Sequence, residues 1–442
     1  MDRIAEYRGR RDGIVDGLRA VKAQGVPVGL QKSTSNLFRR REPGAKRRLN
    51  VQAFDHVLRI DAERRIADVE GMTTYAALVD ETLRYGLLPA VVPQLKTITI
   101  GGAVSGLGIE SASFRYGLVH ESVEEMEILT GQGCIVECSP CKNPDLFFGF
   151  PNSYGTLGYA LRLKIRLVPA KAYVALTHTR FREARGFFAR IAQVCDGDAD
   201  EKDLPDFLDG TIFGPDEMYI TQGNFSDNAP RVSDYTYMNI YYRSIQRKHD
   251  DWLSSKDYIW RWDTDWFWCS KHFGVQNPAV RLFAKWALHS RTYQRLMRMS
   301  QRLFPESASS ESVIQDVQVP IENAAALCDF LLAEIGVTPI WVCPFRTSDR
   351  AYDLCGLKTN QVYVNFGFWD VVPTTHEKGH FNKMIERRVR ELGGTKGLYS
   401  TSYYDRETFW SVYDQPRYLE LKKTYDPEQV FPDLYAKCVE RR

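Results

Sequence analysis

The sequence predicts an α+β fold of about two to three domains, and three observations predict it. The chain has 442 residues, which is too long for one simple core. Its content of 44% hydrophobic and 26% charged residues is typical of a soluble globular protein. Short apolar runs are separated by glycine-containing and polar turns, and only a few longer segments have apolar residues at helical spacing. Short strands mixed with a few helices are therefore expected.

The first part of the chain, up to about Pro169, predicts one α+β unit. Residues 1–24 carry Ile4, Leu18 and Val21 among many charges and predict a surface helix that ends near Gly25. A second helix is predicted over 73–85, with Gly86 as its natural stop. Strands are predicted at 26–30, 56–60, 66–70, 124–129 and 134–138. The turn 130–133 joins the last two of them in a hairpin.

The character of the sequence changes at Tyr173, so a second domain is predicted over about 173–385. Its first hundred residues are rich in aromatic side chains, including five tryptophans between 252 and 268. Residues 279–302 are strongly helical in pattern. Strand-like runs at 340–343 and 362–366 flank a polar loop, and a helix is expected near 380–392.

Composition excludes several classes of protein. A net charge of +2 does not mark a nucleic-acid-binding protein. Nine scattered cysteines argue against a disulfide scaffold and fit a reducing compartment. Cys138 and Cys141 form a C-x-x-C that could be a redox pair or half of a zinc site, but no second pair is near, so chance spacing is favoured and no metal is expected. The charged N-terminus contains no signal peptide, and no apolar run approaches the length of a membrane span.

Three polar loops could hold a phosphate-bearing cofactor. The second along the chain, Thr97–Gly108, has four glycines in eight residues, which lets the backbone approach a phosphate closely. The third is Pro151–Gly158, and the first, smaller one is Lys32–Asn36. Taken alone, each loop is as compatible with a tight turn between strands as with a phosphate-binding role. No Walker lysine motif and no strand–G-x-G-x-x-G–helix unit is present near the start.

The order of these loops resembles the vanillyl-alcohol oxidase and para-cresol methylhydroxylase superfamily of FAD proteins, in its delta-24 sterol reductase (seladin-like) branch. The resemblance spans about residues 26–438. It is carried by the strings Thr99-Ile100-Gly101-Gly102 to Ser111, Tyr116-Gly117-Leu118, Asn143-Pro144-Asp145-Leu146-Phe147, Gly155-Thr156-Leu157-Gly158, Pro339-Ile340-Trp341-Val342-Cys343-Pro344-Phe345, Tyr403 to Trp410, Tyr425-Asp426-Pro427 and Phe431-Pro432-Asp433-Leu434-Tyr435.

The resemblance implies a two-subdomain FAD-binding domain over 1–172, an α+β cap with an antiparallel sheet over 173–385, and a C-terminal return to the FAD-binding domain over 386–442. It also implies contacts with the cofactor from residues of the three loops and of the segment that follows the second loop. These are Ser33, Thr34, Ser35, Asn36, Thr97, Thr99, Gly101, Gly102, Gly106, Ile109, Glu110, Ser111, Tyr116, Gly155, Thr156 and Gly158.

Two departures from the superfamily pattern matter. Many members attach flavin covalently through a histidine in the first loop or a cysteine after the second, and neither 32–36 nor 101–118 contains one. Non-covalent FAD is therefore expected. The sterol reductases of this branch also carry a membrane-spanning leader, whereas this chain starts almost at the FAD-binding domain. Its brevity makes a bacterial relative that modifies fatty-acyl chains the better match.

Flavin chemistry at a carbon–carbon bond also requires a proton donor or acceptor. The candidate side chains are Glu110, His120, Arg346, Tyr363, Asn365, Tyr403 and Tyr404. A phenol is chemically apt to donate a proton to a forming carbanion. For each of these residues a packing or surface role is the competing interpretation, and His120 is more simply a structural histidine.

Residues 279–302 predict a cationic, tryptophan-bearing amphipathic helix. Six basic residues and no acidic one fall in this range, with apolar side chains at three- and four-residue spacing. An anionic membrane surface attracts such a helix, although a core-facing helix with a solvated basic face is equally compatible. Peripheral contact with the inner face of the membrane, from the cytoplasm, is expected. The basic cluster at 39–48 is not accompanied by a nucleic-acid-binding module, so no nucleic-acid partner is expected.

These features favour an FAD-dependent oxidoreductase that acts on a carbon–carbon bond of a lipid. The main hypothesis is reduction or desaturation of a methyl- or methylene-branched fatty-acyl chain in a membrane phospholipid, with NADPH as a candidate electron donor if the reaction is a reduction. The alternatives are a delta-24 sterol C=C reductase, a flavin oxidase of a small sugar- or lactone-like substrate, and a non-catalytic binding protein. The sequence leaves the direction of the reaction open.

Overall fold

The structure is a computed structural model that describes residues 3–23, 25, 27–32, 34–35, 37–39, 47–196, 204–303 and 309–440, with the side chains of 297–303 excepted. The strands are β1 (Val28–Gln31), β2 (Arg47–Asn50), β3 (Val57–Asp61), β4 (Ile66–Glu70), β5 (Leu87–Pro89), β6 (Val123–Thr130), β7 (Ile135–Cys138), β8 (Gly158–Pro169), β9 (Tyr173–Phe181), β10 (Phe207–Gly214), β11 (Glu217–Ser226), β12 (Asp250–Ser254), β13 (Ser310–Pro320), β14 (Ile340–Arg346), β15 (Val362–Pro373) and β16 (Thr395–Lys396).

Helices lie between these strands and after the last of them. They are α1 (Arg3–Lys22), α2 (Tyr75–Thr82), α3 (Ile100–Ser105), α4 (Ser113–Tyr116), α5 (Pro144–Gly149), α6 (Ala184–Cys195), α7 (Tyr241–Ile245), α8 (Ser255–Ile259), α9 (Pro278–Phe283), α10 (Ser290–Leu303), α11 (Ala324–Phe330), α12 (His380–Glu391), α13 (Arg406–Val412), α14 (Gln415–Tyr425) and α15 (Leu434–Cys438). The mixture of helices with antiparallel sheets confirms the predicted α+β class.

Two large antiparallel sheets organise the chain. The first contains six strands, in the order β3-β4-β8-β6-β7 with β5 paired to β8. The second, which we call the cap sheet, contains eight strands in the order β12-β9-β11-β10-β14-β15-β13-β16. A separate pair, β1 and β2, is parallel. All strands of the first large sheet precede Tyr173, where the sequence predicts the second domain to begin.

The two faces of the cap sheet have different partners because successive side chains of a strand point to opposite faces. On β15, Val364, Phe366 and Phe368 belong to one buried cluster, which also contains residues of α6, α11 and α12. Trp369 of β15 and Trp341 and Cys343 of β14 belong instead to the largest cluster, which also contains the core of the first sheet. We call the face with these residues the inner face, and it places cap side chains next to the polar loops.

The C-terminal segment contacts both sheets. Its strand β16 pairs with β13 at the edge of the cap sheet. Beyond it, Phe409, Trp410 and Leu421 from α13 and α14 join the core cluster that contains Phe147 of α5. The expected return of the tail to the first domain and the exact domain boundaries stay predictions.

The predicted helix over 279–302 is wrong in one respect. The structure divides it into α9, a short 3-10 turn at Lys285–Ala287 and α10. Arg281, expected on a basic face, is buried and paired with Asp265. Among the described residues no helix combines the length and apolar composition needed to cross a membrane.

Candidate active site

Arg39, three residues after the first predicted loop, and the second and third predicted loops meet around Tyr154. From the segment after β1, the Arg39 guanidinium lies 4.9 Å from the centroid of the Tyr154 ring. From the second loop, Ser105 O accepts a hydrogen bond from Tyr154 N–H at 3.0 Å, and Gly106 O accepts one from the Tyr154 hydroxyl at 3.3 Å. Tyr154 itself belongs to the third loop, where Gly155 has a φ of +72°. Loops far apart in sequence therefore form one wall.

The residues just after the first loop, Phe38 and Arg39, also contact the tail and the cap. Phe38 N–H donates to Tyr399 O at 2.9 Å, and Arg39 donates to Leu398 O. The Phe38 ring stacks on Trp266 with a centroid separation of 5.3 Å. Of the expected cofactor contacts in this loop, Thr34 and Ser35 are half-buried, while Ser33 and Asn36 lie outside the described residues.

The glycines of the second loop allow close packing of backbone on backbone. Gly101 N–H donates to Gly71 O at 2.9 Å, and a Cβ at Gly101 would lie 2.8 Å from that oxygen. Thr99 caps α3, and its Oγ1 accepts from Gly102 N–H at 3.3 Å. Both glycine N–H groups are thus engaged within the protein, and their contact with a phosphate stays a prediction. The other expected contacts here, Thr97, Gly106, Ile109 and Tyr116, are half-buried.

The tail supports the third loop. Lys422 Nζ donates to Thr156 O at 2.7 Å, and the Thr156 hydroxyl donates to Ser153 O at 2.8 Å. Gly155, Thr156 and Gly158 are all buried. Two polar atoms of this loop, Asn152 Oδ1 and Ser153 Oγ, are buried and make no hydrogen bond with any described residue. An unsatisfied buried polar atom costs about 1–3 kcal/mol, so these atoms require a polar ligand or water.

A buried ionic centre joins the segment after the second loop to the cap. Arg261 Nη2 donates to Glu110 Oε1 and to Asp209 Oδ2, both at 2.8 Å. Ser111 Oγ donates to Glu110 Oε1 at 2.9 Å and shares a hydrogen bond with the Tyr258 hydroxyl at 3.0 Å. The Arg261 guanidinium lies 4.1 Å from the centroid of the Tyr258 ring. Glu110 and Ser111 thus lie around a cation that the sequence interpretation did not include, and their expected contact with the cofactor stays a prediction.

The Arg261 guanidinium forms ion pairs with two carboxyl groups in this centre, and it opposes the rise in the pKa of each. Burial raises the pKa of Glu110, Arg261 lowers it, and Asp209 raises it again. Burial likewise raises the pKa of Asp209, and Arg261 opposes the shift. The two groups titrate together because they share one partner.

A second carboxyl lies on the inner face of the cap sheet. Asp316 of β13 accepts a hydrogen bond at Oδ1 from Asn365 Nδ2 of β15 at 2.8 Å. Gly367 pairs with Asp316 across the strands, and a Cβ at Gly367 would lie 2.6 Å from Asp316 Oδ1. The glycine thus leaves room for the carboxyl. Burial raises the pKa of Asp316 to about 6, against a smaller lowering by Asn365 and Tyr399.

Asp316 lies close to the wall formed by the loops. Its main-chain oxygen accepts from Gly397 N–H at 2.9 Å, two residues before Tyr399. Burial and the neighbouring Asp316 carboxylate hold the pKa of Tyr399 well above its usual value. Tyr399 O also accepts from Phe38 N–H at 2.9 Å, so the tail connects the Asp316 strand to the segment that follows the first loop.

The other candidate proton donors lie apart from this region. Arg346 is at a strand end, where it donates to Cys195 O at 2.8 Å and to Asp196, a location that does not favour a role in proton transfer. His120 is buried with its ring 4.2 Å from Tyr352, and burial lowers its pKa to about 3, so it is neutral.

Two of the candidate tyrosines have structural neighbours. Tyr363 stacks on Phe345 in a small cluster, and its hydroxyl accepts from Lys358 N–H at 3.1 Å. Tyr403 packs beneath Gly379, where a Cβ would meet its ring at 2.3 Å. Their roles as proton donors stay predictions.

Sequence reasoning missed the partners that organise the site. Asp316 is a charged residue between apolar positions of an alternating strand, Val313 and Val317. Arg261 stands between Trp260 and Trp262. A charge between two large apolar residues, as at Arg261, is a signal of a buried ionic or functional group, whereas Asp316 lies where polar and apolar residues alternate and gives no such signal. The partners of these two residues, Asn365 for Asp316 and Asp209 for Arg261, depend on strand register and could not be predicted from the sequence.

Comparisons with known proteins show what the chain is similar to. Residues 10–139 match the family model described as an FAD binding domain. The chain is similar to Delta(24)-sterol reductase of Homo sapiens, 28% identical over 398 residues that cover 86% of this chain and 75% of the relative. Delta(24)-sterol reductase of Pisum sativum is 24% identical over 487 residues, covering 100% of this chain and 83% of the relative. Cytokinin dehydrogenase 10 of Oryza sativa subsp. japonica is 31% identical over 132 residues, 30% of this chain and 24% of the relative.

These similarities confirm the resemblance predicted from the sequence, and the chain is an FAD-dependent oxidoreductase. The residues present fit a dinucleotide. The third loop offers the unsatisfied Asn152 Oδ1 and Ser153 Oγ, and Ser400 Oγ of the tail is a further buried oxygen without a partner among the described residues. The Arg39 guanidinium at the same wall is the kind of group that binds phosphate.

Proposed function

We propose that this flavoenzyme reduces a carbon–carbon double bond of a sterol-like isoprenoid lipid, with non-covalent FAD and with NADPH as the electron donor. The observation that carries the proposal is the similarity to Delta(24)-sterol reductases over 86% of the chain, far more than residues 10–139, which match the FAD binding domain. The comparisons favour this alternative over the branched fatty-acyl substrate that was the main hypothesis from the sequence.

The inner face of the cap sheet supports an apolar substrate. Trp341 and Trp369 are buried there, and Phe267 packs between them, with centroid distances of 5.8 Å and 4.3 Å. An apolar wall with a small number of fixed polar groups is the usual lining of a lipid site.

Reduction of a double bond adds a hydride to one carbon and a proton to the other. Bound FAD supplies the hydride after its own reduction. We assign the proton to Asp316. Its pKa of about 6 leaves a fraction of the carboxyl protonated near neutral pH, and Asn365 fixes Oδ1 so that Oδ2 is the oxygen that can transfer the proton.

The flavin ring is expected to be held without a covalent bond. Segments 32–36 and 101–118 contain neither a histidine nor a cysteine to attach it. Denaturation should therefore release all of the yellow flavin into the supernatant. Flavin that remains with the precipitated protein would contradict this part of the proposal.

A substrate panel tests the reaction. NADPH should bleach the flavin absorbance under anaerobic conditions, and a sterol with a double bond in its side chain should restore it, with the saturated sterol as product. A phospholipid with a methylene-branched acyl chain and an aldonolactone are the comparison substrates. Faster reoxidation by the branched lipid, or bleaching by the lactone in place of NADPH, would overturn the sterol assignment.

The role of Asp316 has its own test, a pH profile of the reoxidation rate. The wild-type rate should fall as pH rises through about 6, because the donor loses its proton. Asp316→Asn should remove this limb and lower the rate at least about 100-fold. Asn365→Val should move the limb to higher pH, because it removes a hydrogen bond that lowers the pKa of Asp316. An unchanged profile in both variants would exclude Asp316 as the donor.

A further inference from the structure

A projecting apolar surface lies on α9 and the turn after it. The side chains of Phe283 and Trp286 are each 81% exposed, and Leu282 is 55% exposed. Val280 and Leu296 are also exposed. Large aromatic side chains are rarely left this exposed in a group on a soluble protein, and such a group marks an interaction site.

The segment that carries these side chains is firmly attached to the cap. Arg281 is buried and donates two hydrogen bonds to Asp265, at 2.7 Å and 2.9 Å. Leu282 O accepts from the Tyr237 hydroxyl at 2.6 Å. On α10, the buried Tyr293 donates to Thr264 O at 3.1 Å. The apolar residues are thus presented outward by a fixed segment.

Positive charge surrounds the apolar residues. Lys285, Arg291 and Arg295 are exposed beside them. The sequence contains no aspartate or glutamate from Trp266 to Pro305. Apolar side chains within a ring of cations are complementary to a membrane surface, where anionic head groups lie above the acyl region.

We propose that this surface, formed by Val280, Leu282, Phe283, Lys285, Trp286, Arg291, Arg295 and Leu296, inserts into the interfacial layer of a phospholipid bilayer that contains anionic lipids. A second copy of the chain is a poorer occupant. Two such surfaces facing each other would oppose cation to cation, with no acidic residue in the segment to compensate. The proposal does not depend on which lipid the enzyme reduces.

The decisive experiment is flotation of the flavin-loaded protein with vesicles. One set is pure phosphatidylcholine, and the other contains equal parts of phosphatidylcholine and phosphatidylglycerol. The protein should float with the anionic vesicles, and less of it should float as salt is raised. Phe283→Ser with Trp286→Ser should lower the bound fraction at least about tenfold. Leu419→Ser, at a side chain 51% exposed on α14, is the matched control and should bind like the wild type.

A separate pair of variants tests the exposed cations Lys285, Arg291 and Arg295. Lys285→Glu with Arg291→Glu and Arg295→Glu should abolish the preference for anionic vesicles. Arg59→Glu with Arg84→Glu changes exposed arginines elsewhere and should preserve it. Flavin absorbance and the melting temperature serve as folding controls, because all of these side chains are exposed. Equal binding by every variant would overturn the proposal.

Fluorescence locates the contact more directly. Vesicles containing brominated phosphatidylcholine should quench part of the tryptophan emission of the wild-type protein. Trp286→Phe should bind the vesicles but lose most of this quenching. The proposal would also be overturned if the wild-type protein did not bind anionic vesicles but formed dimers in sedimentation that Phe283→Ser with Trp286→Ser dissociates.

Discussion

Arg261 Nη2 lies 2.8 Å from Glu110 Oε1, and this ion pair fastens the segment after the second loop to the cap. Neither side chain has more than 2% of its surface exposed. The same Arg261 atom also binds Asp209 of β10, so a single cation compensates two buried carboxyl groups on different parts of the fold. Removal of the cation would leave both without compensation.

The first prediction concerns this cation. Arg261→Met should lower the free energy of unfolding by about 3–5 kcal/mol, because breaking a buried ion pair leaves an uncompensated charge. It should also weaken FAD binding, since Glu110 loses its ion pair with the cap. Urea unfolding and flavin titration measure the two effects. Arg247→Met, at an exposed arginine of the cap, is the control and should change neither.

A rescue separates charge from packing in this centre. Adding Glu110→Gln to Arg261→Met removes one of the two uncompensated carboxyl groups. The double variant should therefore be more stable than Arg261→Met alone. Equal stability of the single and double variants would show that lost packing, and not uncompensated charge, is the cause.

The second prediction is a pH dependence of stability due to Asp316. The folded-state pKa of about 6 is above the ordinary value of 3.8, so folding favours the protonated form. At a pH well below about 4, Asp316 is protonated in both the folded and the unfolded state, and its contribution to the free energy of unfolding is fully favourable. This contribution is lost as pH rises through about 6, the pKa of Asp316 in the folded state. Above that pH the ionised carboxyl costs up to about 3 kcal/mol.

Asp316→Asn should remove this cost while its amide oxygen still accepts from Asn365. Its advantage in the free energy of unfolding should be near zero at low pH and should grow through pH 6. Urea unfolding of the flavin-free protein across this range measures it. Asp216→Asn, at an exposed turn, should show no such trend. An advantage of Asp316→Asn that is constant with pH would contradict the assigned shift.

Local patterns of the sequence predicted several strands of the first sheet but not the site. The run 66–70 coincides with β4, and Gly86 ends its helical segment in the left-handed region as expected. In contrast, the contacts of Asp316 with Asn365 and of Arg261 with Asp209 join residues 49 and 52 positions apart. Such contacts depend on strand register and crossover connections, which periodicity within one segment does not determine.

The break between α9 and α10 illustrates the same limit. The apolar spacing over 279–302 is compatible with one continuous helix, and the sequence interpretation treated Arg281 as one more surface cation. The buried Asp265 attracts Arg281 inward, and the chain turns at Lys285–Ala287. The tertiary ion pair thus overrides the local helical pattern, and no count of charges within the segment could have revealed it.

The third prediction tests the close packing of the second loop. Gly101→Ala should lower the free energy of unfolding by about 1–3 kcal/mol, because the new Cβ would lie 2.8 Å from the main-chain oxygen of Gly71. Gly13→Ala in α1 is the contrasting substitution, since no atom lies within 4 Å of a Cβ there. It should raise stability by about 0.5–1 kcal/mol through helix propensity alone. Thermal unfolding compares them, and equal effects of the two substitutions would refute the packing argument.

The last prediction concerns the support of the third loop by the tail. Lys422 Nζ donates to Asp426 Oδ2 at 2.6 Å, to Phe431 O at 2.8 Å and to Thr156 O. Asp426 is fully buried, so Lys422→Met should lower the free energy of unfolding by about 3–5 kcal/mol. It should also speed the release of FAD, because the loop that contains Thr156 loses the hydrogen bond that Lys422 donates to it, which we call the brace. Flavin fluorescence after dilution measures the release.

The neighbouring lysine provides the control for this substitution. Lys423 lies on the exposed side of the same helix, so Lys423→Met should leave both stability and flavin release unchanged. Adding Asp426→Asn to Lys422→Met should recover part of the stability, because the buried charge is removed. It should not recover the rate of release, because Thr156 O still lacks its donor. Recovery of both properties together would mean that the tail acts on the cofactor only through global stability, and the proposed brace would be excluded.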